Sequence, residues 1–390
     1  MNKSTLAIAV AVGLLAQQAS AAGFIEDSKA TLKLRNFYIN NDNRDSGTKA
    51  AGAQSKAEEW GQGFQLDFTS GFTQGTVGFG IDAIGLLGVR LDSGGGTNGR
   101  SGNSYGGTVF PSKSNGDAVN DFSSLGLTAK AKVSQTELRI GTLQPKLPVI
   151  VSNDGRMLPQ TFQGGQITSS EFKDLTFTGG QIEHAKGRNS SNNEGLSIAG
   201  ANNSITGKFV NKFYYGGVDY KVNKDLLLQY YYGNLEDFYK QHFLGATHVF
   251  KIADDQSFKT DLRYFDSSSD GKNGNDSTYN FNNNGGYAKH LGEIDNKTWS
   301  AMFTYTLGGH ALMLGHQQVG DDGGFVWLNQ GSLVNDSGTS EGAGGSSFYL
   351  FTDSMINQFA RAGENTNFGQ YSYDFASLGV PGLKASVSYL

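Results

Sequence analysis

The sequence predicts an all-β chain folded as a transmembrane antiparallel β-barrel, and three observations carry the prediction. It opens with a secretory leader, it holds no cysteine with which an exported fold could be stapled, and segment after segment alternates apolar and polar residues for about ten positions before breaking at Gly, Asn, Asp or Ser. A single strand of this kind would serve a soluble sandwich equally well, with one face on a core and one in water. The leader, the missing disulfides and the basic polar faces on many strands together favour the wall of a membrane barrel.

The leader consists of Met1-Asn2-Lys3, an apolar stretch from residue 6 to 16, and the small-residue cleavage site Ala19-Ser20-Ala21. It divides the chain into a signal peptide at 1–21 and a single barrel domain at 22–390. The apolar stretch is too short to remain in a bilayer as a helix, and no later one reaches the roughly 18 to 20 apolar residues a helical span requires. Mean hydropathy is -0.38, with 55 glycines, 5 prolines and 12% aromatic residues, which describes strands and turns with a modest apolar face. A formal net charge of -5 argues against nucleic acid as a partner, since nucleic-acid binding calls for a basic domain.

The clearest strand is 125–133, where Leu125, Leu127, Ala129, Ala131 and Val133 share one face and Thr128, Lys130 and Lys132 the other. Two lysines on one strand face require water. Leu32 and Leu34 likewise oppose Lys33 and Arg35, and Phe37 and Tyr38 follow as candidates for an aromatic girdle at the headgroups. Phe64, Leu66 and Phe68 oppose Gln65, Asp67 and Thr69; Phe258, Leu262 and Tyr264 oppose Lys259, Asp261 and Arg263; Trp299, Ala301, Phe303 and Tyr305 oppose Ser300, Thr304 and Thr306. Turns such as Ser134-Gln135 and Asn223-Lys224-Asp225 are short, whereas the segments 92–121, 266–296 and 320–348 are long and polar. Short turns at one end and long loops at the other is the organisation of an outer-membrane barrel.

Several stretches of text resemble the OprD family of outer-membrane carboxylate channels across nearly the whole mature chain. They are GFIEDS at 23–28, LRNFY at 34–38, SGFTQGTVGFGIDAIGLLG at 70–88, LPQT at 158–161, SSEF at 169–172, LEDFY at 235–239, TWS at 298–300 and GVPGL at 379–383. The run DGRMLPQTFQGGQITS at 154–169 and EHAKGR at 183–188 look more like the OccK branch, associated with cyclic or aromatic carboxylates, than the OccD branch, associated with basic amino acids. The resemblance implies a barrel of about eighteen strands, narrowed by inward-folded loops and lined by a ladder of basic side chains. About fourteen or fifteen strand-like segments are legible before Leu390, so about the last three strands of such a barrel are expected to be missing from this chain.

A carboxylate crossing a pore must keep its charge solvated, and fixed cations at intervals replace water along the way. Arginine suits the narrowest point, because its planar fork pairs with both carboxylate oxygens and stays charged. Arg156 is the first candidate: it lies in a segment with Pro145, Pro148 and Pro159, which cannot continue a ladder and suit a loop turned into the lumen. By resemblance this is the third extracellular loop, which forms the constriction; read from the residues alone, an exposed loop arginine is the alternative. Arg35, Lys130, Lys132, Arg139 and Arg263 fall on polar strand faces and are candidate rungs, each with the alternative of an ion pair to a wall carboxylate such as Asp67, Glu137 or Asp261. The resemblance turns Asp321 and Asp322 toward the rungs across the pore, where they would bind a substrate ammonium or exclude dianions; the alternative is a solvated loop pair.

No P-loop, H-E-x-x-H, paired Cys or G-x-S-x-G occurs, and the histidines at 184, 242, 248, 290, 310 and 316 are dispersed, so no catalytic residue, metal or cofactor is expected. His248, on a predicted strand, would be the residue of an outer-wall hydrolase, but it lacks a Ser and carboxylate at a recognisable spacing. The expected function is passive, substrate-selective uptake of small anionic or zwitterionic carboxylates across the bacterial outer membrane. The alternatives are a general diffusion porin, a carboxylate channel preferring basic amino acids, or an adhesive barrel with a plugged lumen. Expected partners beyond the solute are outer-membrane lipid, lipopolysaccharide and the assembly machinery, with the protein a monomer or weak trimer.

Overall fold

The computed structural model describes residues 23–42, 56–93, 109–113, 117–200, 208–280, 289, 292–329, 333–334, 340–341, 347–355 and 358–390. The leader at 1–21 and His290 lie outside the described residues. Fifteen strands form one antiparallel sheet in which every strand pairs with its neighbours in sequence. We number them β1 (Lys29–Asp42), β2 (Lys56–Thr69), β3 (Gly78–Asp92), β4 (Asp121–Val133), β5 (Thr136–Leu143), β6 (Thr161–Ser169), β7 (Leu175–Lys186) and β8 (Phe213–Lys221). There follow β9 (Leu226–Leu235), β10 (Tyr239–Ala253), β11 (Gln256–Ser269), β12 (Asp295–Leu307), β13 (His310–Val319), β14 (Asn365–Asp374) and β15 (Lys384–Tyr389). Among the described residues β1 and β15 are the sheet's two edges. Among the described residues no helix is long and apolar enough to cross a membrane.

The alternation read from the sequence is the alternation of the wall. Leu125 and Leu127 stand on the outer face of β4 while Thr128 and Lys130 are buried on the inner one, and Leu262 and Tyr264 of β11 are exposed while Asp261 and Phe265 are buried. A strand facing lipid on one side and a filled lumen on the other has this pattern, with apolar side chains outside and polar or aromatic ones within. Tyr38 and Trp60, directly opposed across β1 and β2, mark the long-loop end of the outer face. Tyr220, Phe250, Phe258 and Tyr371 mark the short-turn end. Phe37 corrects the sequence reading: it points inward and packs beside Ile84, Phe110 and Met157, because it shares parity with the inward Arg35 and not with Tyr38.

The turns at one end are tight. Ser134 adopts a positive φ of 52° between β4 and β5, and Asn223 accepts from the amides of Asp225 and Leu226 between β8 and β9. At the other end the described parts of the connections pack against the inner face of the sheet. A two-stranded ribbon joins Ser197–Gly200 to Val326–Asn329, and a smaller one joins Lys146–Leu147 to Ile150–Val151. Their apolar side chains, including Ile150, Ile198, Trp327 and Phe348, meet the inward aromatics Phe162, Phe213, Tyr231, Phe243 and Phe265 to form the main core. A second core sets Val109, Phe110, Met157 and Leu158 against Ile84, Leu86 and Phe122 of the wall. Gly217 makes one approach possible: a Cβ there would lie 2.2 Å from the Tyr231 ring, so only bare backbone lets the ring pack this closely against β8.

Candidate functional site: a constriction built by loops

The segment 144–160 leaves β5, crosses the lumen and returns at β6. It is braced internally: the Ser152 amide donates to the Pro145 carbonyl at 2.8 Å, the Gln160 amide to the Asn153 carbonyl at 2.8 Å, and the Gly155 amide to Asn153 Oδ1 at 2.9 Å. Its two ends are seated in the two cores, Val149 and Ile150 in one and Met157 and Leu158 in the other. A loop anchored at both ends holds the residues between them, 151–156, at a fixed depth in the lumen.

Arg35 of β1 supplies a further tie. Its Nη1 donates to Asp154 Oδ1 at 2.8 Å and to the Asp154 carbonyl at 3.0 Å, its Nη2 to Asp154 Oδ2 at 3.2 Å, and Nη1 also reaches the carbonyl of Arg156. A forked guanidinium that pairs with a carboxylate and two carbonyls fixes the loop to the wall. Arg156 is then held beside Glu59, a fully buried carboxylate on β2 that accepts from the amides of Val109 and Phe110 at 3.0 Å each.

The second cation at this level is Arg188, which follows the end of β7. It is 8% exposed and its Nη1 donates to Asn153 Oδ1 at 2.9 Å. A Cβ built on Gly155 would lie 3.5 Å from the same nitrogen, so Arg188 sits against the backbone adjoining Arg156. Burial pulls the Arg188 guanidinium down to about 9, and the charge of Arg156 pulls in the same direction more strongly than Asp353 or Asp154 oppose it. Burial likewise lowers Arg156, with Glu59 acting against it. Both guanidiniums sit in a poorly hydrated place, and the charge of Arg156 adds to the cost of the charge on Arg188. An anion between them would relieve that cost, which is the chemistry of an anion-selective constriction.

The third side comes from 347–355. Ser347 pairs with Val151 in an isolated antiparallel bridge, so this segment and 144–160 are joined directly. Asp353 lies half-buried near Arg188, and burial raises its carboxyl above the ordinary carboxylate range. Lys186, two residues before Arg188 at the end of β7, is 6% exposed. Arg188 was missed as a site residue. It lies in the EHAKGR text, and the available signal was a pair of cations at the end of a strand followed by a polar run too long for a turn.

The remaining candidates have definite places. Lys130 faces inward but is 4% exposed: its ammonium meets Asp82 at 2.7 Å and the Ser70 carbonyl at 2.7 Å, and lies 4.8 Å from the Phe72 ring centre. The turn after β2 has folded over it, which removes it from any solute path. Lys132 lies 5.7 Å from the same ring. Arg139 pairs with Glu137, lies 3.9 Å from Asp82 and is 43% exposed to the lumen. Arg263 is paired with Asp261 and enclosed by two aromatic rings. Asp321 and Asp322 are solvent-accessible and pair with Lys289 at 2.7 and 3.8 Å, a partner in a loop the sequence could not align with them. That lysine holds the Asp321 carboxyl below its usual range. His248 stands exposed on the outer face of β10. Among the described residues no three His, Asp or Glu are grouped to hold a metal.

Residues 22–390 match the family model described as outer membrane porin, OprD family. The chain is 35% identical over 388 residues to the porin-like protein GalP of Pseudomonas putida, covering 99% of this chain and 82% of that one. Among solved structures it is similar to Pseudomonas aeruginosa OccK8 (OprE), at 57% identity and a TM-score of 0.80, covering 94% of this chain and 84% of that one. It also matches Pseudomonas aeruginosa OpdK with vanillate, at 31% identity and a TM-score of 0.73, covering 94% and 82% of the respective chains.

Proposed function

Since the chain belongs to the OprD family of outer membrane porins and is an integral β-barrel protein of the outer membrane, we propose that it admits small carboxylate-bearing solutes selectively, cyclic or aromatic ones foremost, by passive diffusion past Arg156 and Arg188. The observation that carries the proposal is the apposition of those two guanidiniums, held by Asn153, Asp154 and the wall residue Arg35. A carboxylate arriving there exchanges water for the planar forks of two neighbouring guanidiniums. It leaves again because Asp353, on the facing segment, offers competing pairing and keeps the well shallow. The preference for cyclic or aromatic solutes is supported by the likeness to OpdK, whose solved structure carries vanillate, an aromatic carboxylate.

The test is uptake of radiolabelled benzoate-type carboxylates, amino acids and neutral sugars into liposomes carrying the protein, with and without Arg156→Ala. Faster uptake of the benzoate class, falling at least about tenfold in the variant, is the expected result, as loss of one charge-assisted contact worth about 1.5 kcal/mol or more predicts. Basic amino acids outrunning benzoate would replace the substrate class. Sugars and carboxylates entering alike, unchanged by the substitution, would identify a general diffusion porin.

A further inference from the structure

Arg263 has the parity of a ladder rung but the surroundings of a clamp. It stands on the inner face of β11 with 12% of its side chain exposed. Nε and Nη2 donate to the two oxygens of Asp261 at 3.0 and 3.3 Å, and Nη1 donates to the Tyr349 carbonyl at 2.9 Å. Its flat guanidinium lies 4.1 Å from the Tyr349 ring centre and 3.9 Å from that of Phe351. The polar edge is engaged on two sides and aromatic rings cover the plane, so a passing carboxylate finds no free fork to pair with. What Arg263 holds is the segment 347–355. That segment is bridged to 144–160 through Ser347 and Val151, accepts a hydrogen bond from Gln317 at Thr352 Oγ1, and carries Asp353 to the neighbourhood of Arg188.

We propose that Arg263 is a positioning residue that seats the 347–355 segment in the lumen and thereby sets the width and steadiness of the constriction, without itself touching solute. The stacking and the bidentate pair need the planar, forked shape of arginine, so a lysine at this position keeps the charge and loses the clamp. This rests on the channel function of the family and not on the choice of solute, and simple potassium chloride currents read it.

The experiment is single-channel recording of Arg263→Lys and Arg263→Met in planar bilayers, together with Arg263→Met carrying Val151→Cys and Ser347→Cys. The natural chain has no cysteine, and bridged antiparallel positions fall within disulfide range, so the new bond would be the one disulfide present. The clamp predicts that Lys and Met both raise mean conductance roughly twofold and add flicker, because a released segment widens the narrowest part of the pore. It also predicts that the oxidised cysteine pair returns current and noise to wild-type values, and that a reductant abolishes the return. Two results would overturn it. One is wild-type behaviour of Arg263→Lys with a shifted reversal potential in Arg263→Met, which makes the charge the active property; the other is an oxidised disulfide that leaves conductance high. If Arg263→Met does not assemble, Asp261→Asn, which loosens the same guanidinium, is read against the same outcomes.

Discussion

Near the short turns, Lys130 meets Asp82 at 2.7 Å and Arg139 lies between Glu137 and Asp82, so the wall cations carry their counter-charges with them. At the constriction the loops set Arg156 and Arg188 side by side in buried surroundings, where burial lowers both and, for Arg188, the charge of Arg156 weighs more than that of Asp353 or of Asp154 taken singly. The residue types are the same and the electrostatic outcome is opposite. A wall cation beside its own carboxylate stabilises the barrel; a cation buried beside another cation is costlier to keep charged. The difference teaches that a basic residue on a lumen-facing strand position is not thereby a binding residue. What decides is what the loops bring against it.

The largest expected effect falls on the wall. Lys130→Met leaves Asp82 without its main counter-charge in a nearly dry site, and about 3–5 kcal/mol of stability is expected to be lost. Urea unfolding in detergent, followed by the heat-modifiable gel mobility of folded barrels, measures it. Carboxylate preference in the folded fraction should stay as in wild type; a changed preference would erase the distinction between the two regions.

Next comes the constriction itself. Arg156→Ala and Arg188→Ala are each expected to lower benzoate uptake about tenfold. The double variant should cost less than the product of the two, because removing one cation relieves the other. Strictly multiplicative effects would mean the guanidiniums act independently.

A smaller effect concerns pH. The folded pKa of Asp353 is raised by burial, so this carboxyl takes up a proton at a higher pH than an ordinary aspartate. As pH falls from neutral into the acid range, its negative charge is lost first and Arg188 loses a counter-charge. Anion preference, read as the reversal potential in a salt gradient, should therefore rise on acidification through that raised pKa. Asp353→Asn should show the raised preference already at neutral pH and no such step. The smallest effect is expected at the rim: Asp321→Asn removes an exposed, solvent-screened pair with Lys289, and uptake should not change.

The wall was legible in the sequence because a strand with lipid on one side and a filled lumen on the other is a period-two object, and the chain repeats it in strand after strand. Parity placed Lys130, Arg139 and Arg263 inward correctly. Applied consistently it would also have turned Phe37 inward with Arg35, in place of a girdle position beside Tyr38. Parity cannot say what stands opposite an inward side chain. Lys130 is covered by a turn and Arg263 by two rings from a segment distant in sequence, and neither contact leaves a mark on local periodicity. Arg156 was legible through its prolines. Arg188 was not, since its burial is produced by 144–160 and 347–355 closing around it, a tertiary event with no local pattern.

The ribbon that joins Ser197–Gly200 to Val326–Asn329 has a consequence for biogenesis. Its two strands are far apart in sequence, and so are Val151 and Ser347, whereas every wall strand pairs with its immediate neighbours. Loop closure makes long-range pairings slow, so neighbour-by-neighbour zippering of the wall precedes them. Such an order puts the ribbon and the Val151–Ser347 bridge among the last pairings to form, after the wall strands that carry them.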